Sequence, residues 1–75
     1  MNMKIWMKKA SQEQRDALAA EANTSVGYLW QLAGGHRRAG VDMAKALVKA
    51  SIKVTPDSAL TLDGLRPDIW GLQVA

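Results

Sequence analysis

The chain has no cysteine and only one histidine among its 75 residues. Without thiols there is neither a disulfide framework nor a Cys-based zinc site, and one imidazole cannot build a His cluster. The fold must stand on packing alone, with no cofactor or metal expected. The same shortage leaves no evident nucleophile–base pair, and a chain of this length has little volume for a substrate cavity, so no enzyme is expected. Long apolar runs are missing as well. Charged residues recur every few positions, and no window approaches the roughly 20 apolar residues that cross a bilayer. The opening stretch, residues 1–9, carries Lys8 and Lys9 after its short apolar segment and has no small-residue cleavage site, which argues against a signal peptide. A soluble cytoplasmic protein is expected.

What is present suffices for one compact core and no more: 48% of residues are hydrophobic, so residues 1–75 read as a single domain. The net charge of +3 is mild, but its distribution is uneven. Residues 1–23 hold four basic and three acidic side chains, residues 24–53 hold five basic against Asp42 alone, and residues 54–75 hold Arg66 against three Asp. A basic middle region is a footprint for phosphate backbones, although the same Lys and Arg also suit a plain solvated face.

Apolar residues recur at spacings of three and four, and β-branched runs are nearly absent, so the class is all-α. Met3, Trp6, Met7 and Ala10 share one face of a first helix, with Lys4, Lys8 and Lys9 turned to water. Ser11-Gln12-Glu13-Gln14 has the form of a capping box and opens a second helix from Gln12 to about Ala22, with Ala17, Leu18, Ala19 and Ala22 inside. Asn23 tolerates the left-handed conformation that ends a helix, and Ser25 restarts one as N-cap. The third helix, Val26 to Ala33, stops at Gly34-Gly35 in a loop that lasts to Gly40. A fourth helix carries Val41, Ala44, Leu47, Val48 and Ser51 on one face and Asp42, Lys45 and Lys49 on another. Thr55-Pro56-Asp57-Ser58 is a further cap signal with Pro at the first helical position. The remainder of residues 54–75 is expected to be an irregular tail. There Pro67 restricts Arg66 to extended geometry, and Ile69, Trp70 and Leu72 cover core or meet a partner.

Residues 12–34 thus form two helices across a very short turn. Leu18, Ala22, Leu29 and Leu32 fall where crossing helices need apolar contacts, and Ala19 falls where a larger side chain would push them apart. Such a crossing projects the second helix towards a groove about 12 Å wide, although an ordinary αα-hairpin has the same outline. The run from Leu18 to Leu32 resembles the helix-turn-helix of lambda-repressor-like proteins, with Asn23 at the usual glycine of the turn. More narrowly, Tyr28-Leu-Trp-Gln-Leu-Ala33, Gly35-His-Arg-Arg-Ala39 and Leu65-Arg-Pro-Asp-Ile-Trp70 resemble the YdaS-type Cro-like proteins of bacterial prophages. The resemblance implies a compact four- to five-helix domain and a repressor or Cro-type regulator that binds operator DNA. It also implies a bacterial, nucleoid-associated location.

With Leu29 and Leu32 inward, Val26, Gly27, Trp30 and Gln31 face outward or sideways. Gln31 is the best base reader, because its amide can pair bidentately with adenine; the alternative is a solvated Gln. Val26 offers methyl groups to thymine. Gly27 either permits close backbone approach or answers a packing need. Ser25 holds the helix and can meet a phosphate. Tyr28 lies beside the inward stripe with its hydroxyl towards phosphate, and Trp30 sits nearer the outward stripe. His36, Arg37 and Arg38 occupy a Gly-bounded loop that can follow a phosphate strand. Arg15 matches the family position that holds a phosphate, and Lys45, Lys49 and Lys53 are second-rank candidates for the same role. One short reading helix covers few base pairs, so a homodimer on duplex DNA is expected. Neither a membrane nor a small-molecule partner is indicated. The competing class is an antitoxin-like or protein-interaction module acting through the apolar C-terminal tail.

Overall fold

The computed structural model describes residues 1–70 and is all-α. Helices α1 (Met3–Lys9), α2 (Gln12–Glu21), α3 (Val26–Ala33) and α4 (Val41–Val54) are followed by a 3-10 turn over Pro56–Ser58. Two one-turn helices, α5 (Leu62–Leu65) and α6 (Pro67–Trp70), complete the described chain. Each early helix starts where its cap demands. The Asn2 side chain accepts the Ile5 N–H at 2.9 Å. Ser11 and Gln14 close a reciprocal capping box, and Ser25 Oγ accepts the Tyr28 N–H at 3.1 Å.

α2 and α3 end by the same device. At the end of α2, Thr24 N–H donates to the Ala19 carbonyl at 2.8 Å and Asn23 N–H to that of Ala20 at 3.2 Å, with Asn23 at φ 57°. At the end of α3, His36 N–H donates to the Gln31 carbonyl at 3.0 Å and Gly35 N–H to that of Leu32 at 3.2 Å, with Gly35 at φ 79°. Both are Schellman endings: one left-handed residue turns the chain back and satisfies the last carbonyls.

α1 packs on α3, and α2 packs on both α3 and α4. The centre is made of Trp6, Met7, Leu18, Leu29, Leu47 and Leu60, all fully buried. Its polar groups are fully used. The Trp6 indole N–H donates to Thr55 Oγ1 at 2.9 Å, and that hydroxyl donates to the Ser51 carbonyl at 3.2 Å. Ser51 Oγ donates to the Val48 carbonyl and accepts the Leu60 N–H, both at 2.8 Å. No buried side-chain nitrogen or oxygen among the described residues lacks a partner.

Several expectations need correction. Ala17 is exposed, not inside. Residues 17, 18 and 19 sweep about 200° of helix, more than one packed face covers, and Leu18, Ala19 and Ala22 take the buried side. Val41, in the first turn of α4, is 44% exposed, while Ala50 joins Ala44, Leu47 and Ser51 in the buried face. Thr55 does not cap the following turn through its side chain; its hydroxyl is taken by Trp6. The tail is less irregular than expected. Thr61 Oγ1 accepts the Gly64 N–H at 3.2 Å to start α5, and Pro67 supplies the preset φ that starts α6. Trp70 is half-buried against the core, Ile69 is exposed, and Leu72 lies outside the described residues.

Replacing Ser51 by Ala leaves the buried Leu60 N–H without an acceptor, for an expected loss of about 1–3 kcal/mol of stability. Urea unfolding measures it, and an unchanged midpoint would mean that Leu60 does not depend on this hydroxyl.

Candidate nucleic-acid interface

Burial divides α3 cleanly. Leu29 is fully buried, whereas Val26, Tyr28, Leu32 and Ala33 are half-buried. Gly27, Trp30 and Gln31 are exposed. The last three stand at i, i+3 and i+4, so they form one outward stripe, with exposed Ser25 at its N-terminal end. Val26 packs partly on the core, which leaves less of its methyl surface outside than the sequence suggested.

Gly27 resolves one alternative. A Cβ built there meets only Ser25 Oγ at 3.9 Å, so no internal packing need calls for glycine. A glycine inside a helix costs up to about 1 kcal/mol relative to alanine, and here nothing within the fold offsets that cost. The bare backbone is therefore open to a close external approach on the Trp30–Gln31 side.

Trp30 is 45% exposed, and the Arg15 guanidinium lies over its ring, 5.1 Å from the centroid. Arg15 is also fixed from behind: its Nε donates to the Met7 carbonyl in the last turn of α1 at 2.9 Å, where helix carbonyls lack partners of their own. Arg15 is thus half-buried and stacked, presenting its charge at the edge of the α3 stripe.

The loop after α3 brings His36, Arg37 and Arg38 to the surface, all exposed, and then buries Ala39. Arg37 and Arg38 line an open groove of about 330 Å³ together with Lys4, Asn2 and Leu65; no carboxylate lines it. Lys4 is exposed, as expected, but its place beside the loop arginines was not expected. Its sequence neighbourhood carries no signal, because the N-terminus of α1 meets this loop only through the tertiary fold. Asp68 approaches from outside the groove and accepts from Arg38 Nη1 at 3.4 Å. Hydrogen bonds from Arg66, opposed in part by desolvation and helped by the charges of both arginines, hold the Asp68 carboxyl down at about 2. Its contribution is present above the ordinary carboxylate range and is lost only as pH falls through about 2. The α4 lysines are not brought to the groove. Lys49 and Lys53 border a separate hollow with Glu21, to which Lys53 pairs at 3.4 Å.

The site is therefore an exposed helical stripe (Gly27, Trp30, Gln31) with Arg15 stacked on Trp30, followed by a basic loop whose groove is lined from α3 by Leu32 and Ala33. No family model, curated protein or solved structure matches this chain. Among the described residues no helix is long and apolar enough to cross a membrane, and no cluster of potential metal ligands occurs.

Gly27→Ala is expected to raise the unfolding free energy, by up to about 1 kcal/mol. Thermal unfolding tests this, and a destabilised variant would restore a structural reason for the glycine.

Proposed function

We propose that this chain is a sequence-specific DNA-binding transcriptional regulator of the Cro-like kind, reading the major groove of operator DNA with α3. The observation that carries the reading is the exposed stripe Gly27, Trp30 and Gln31, on a helix capped by Ser25, with Arg15 stacked on Trp30 and the basic groove of Lys4, Arg37 and Arg38 beside the last residues of the same helix. Gln31 is the base reader, with an amide matched to adenine N6 and N7. Gly27 lets the backbone come close, and Ser25 at the helix N-terminus meets a phosphate. Trp30 flanks the groove, held by Arg15, while the half-buried Tyr28 reaches it with its hydroxyl. His36, Arg37 and Arg38, joined by Lys4, follow the phosphate strand.

A single α3 of eight residues touches few base pairs, so specificity in a genome calls for two copies on one pseudo-palindromic site. Trp70 is half-buried against the core, and Ile69 is the exposed apolar residue of the C-terminal turn available for pairing.

Gln31→Ala is expected to cost about 1–3 kcal/mol on the operator and to relax preference at one base pair per half-site. Operator fragments selected from genomic DNA, titrated beside random duplex, give the measurement. Equal losses on both would reject base reading. Absence of any salt-sensitive duplex binding would reject the DNA-binding reading altogether and favour a protein-interaction module. The dimer is tested by footprinting on operators with half-sites moved apart by five base pairs. Two rigidly paired helices require centres about 34 Å apart and lose affinity on that insertion, whereas independent monomers do not.

A further inference from the structure

The groove loop is held by a pair of residues that the DNA-reading helix itself does not contain. Arg66, with a side chain only 17% exposed, donates from Nη1 to the Ala39 carbonyl at 2.7 Å. Its Nε and Nη2 grip the two oxygens of Asp68 at 2.9 and 2.7 Å, a bidentate fork with little rotational freedom. Asp68 Oδ2 then accepts from Arg38 at 3.4 Å. Ala39 and Arg38 lie 27 and 30 positions away in sequence from these partners. Among the described residues no other side chain hydrogen-bonds to residues 34–40, Gly35 sits in the left-handed region, and Gly40 caps α4 without a side chain. The second half of the loop is therefore fixed by the burial of Ala39 and by this pair. The three charges are unequally engaged. Arg66 and Asp68 neutralise one another through short bonds, while Arg38 keeps a long contact from a side chain that is 74% exposed, and such a contact is released at little cost.

We propose that Arg66 and Asp68 are positioning residues of the nucleic-acid interface: they order the basic loop before DNA arrives, and Arg38 passes from Asp68 to a backbone phosphate on binding. Ordering the loop in advance removes an entropic cost that duplex binding would otherwise carry. The proposal rests on the DNA-binding reading above.

The test is a double-mutant cycle on random duplex at several salt concentrations. Arg66→Met keeps the apolar stem and removes the fork. Against the native loop it is expected to weaken binding about three- to tenfold, and against Arg37→Ala/Arg38→Ala to have no further effect. A merely structural Arg66 would weaken both backgrounds alike, and that additivity would overturn the proposal. Asp68→Asn, at an exposed position, runs the same cycle if Arg66→Met does not fold. Amide hydrogen exchange in the free protein separates the two levels of inference. Faster exchange at Arg37–Ala39 with α3 unchanged supports the clamp even before DNA is added, and unaltered loop exchange overturns it. A native chain without salt-dependent duplex binding overturns the functional reading, whatever the loop does.

Discussion

The Trp6 indole is the constraint around which this small domain closes. A chain of 75 residues without disulfides has one core, and its most voluminous fully buried side chain carries an N–H that cannot be left unpaired. Thr55 Oγ1 accepts it and donates in turn to the Ser51 carbonyl, while Ser51 Oγ accepts the Leu60 N–H. These four residues thereby tie the C-terminal end of α4 to α1 and Leu60 to α4. α3 packs on α1, the helix that carries Trp6, and makes no polar contact with that node itself.

Two equivalent helix endings convert that packing into a presented surface. Asn23 and Gly35 occupy the left-handed region at corresponding points after α2 and α3. The first turns the chain so that Ser25 can start α3 in the open; the second releases the chain into a loop whose arginines return beside Lys4. An asparagine serves at the first position because its short side chain tolerates positive φ at modest cost. At Gly35 a Cβ would meet nothing within 4 Å, so backbone conformation, rather than crowding, accounts for the glycine there.

Arg15 and Arg66 perform related tasks at two places in the fold. Each spends part of its guanidinium on a backbone carbonyl, Met7 for one and Ala39 for the other, and so ties two segments together: α2 to the end of α1, and the C-terminal turns to the loop after α3. Arginine suits this work because its planar fork satisfies a carbonyl and a second partner at once, an aromatic face for Arg15 and a carboxylate for Arg66.

The local grammar of the chain is written in short stretches of residues. The capping box at Ser11, the left-handed Asn23, the restart at Ser25, the stop at Gly34 and the inward Leu18 and Leu29 all involve bonds or periodicities within a few residues, so the four principal helices were legible. Gln31 and Trp30 were legible as outward for the same reason. The tertiary structure alone decided the rest. Thr55 reads as a helix cap until Trp6, 49 positions away, claims its hydroxyl. Lys4 reads as a solvated charge and is one, but that it lines a groove with Arg37 and Arg38 is set by the fold. Arg66 reads as the residue before a proline until Ala39 and Asp68 fill its fork. Ala17 shows the same limit in reverse: alanine fits either face, so periodicity could not exclude it from the core. Contacts between residues tens of positions apart leave no periodic trace, because their spacing is set by how the helices pack and not by the repeat of any one of them.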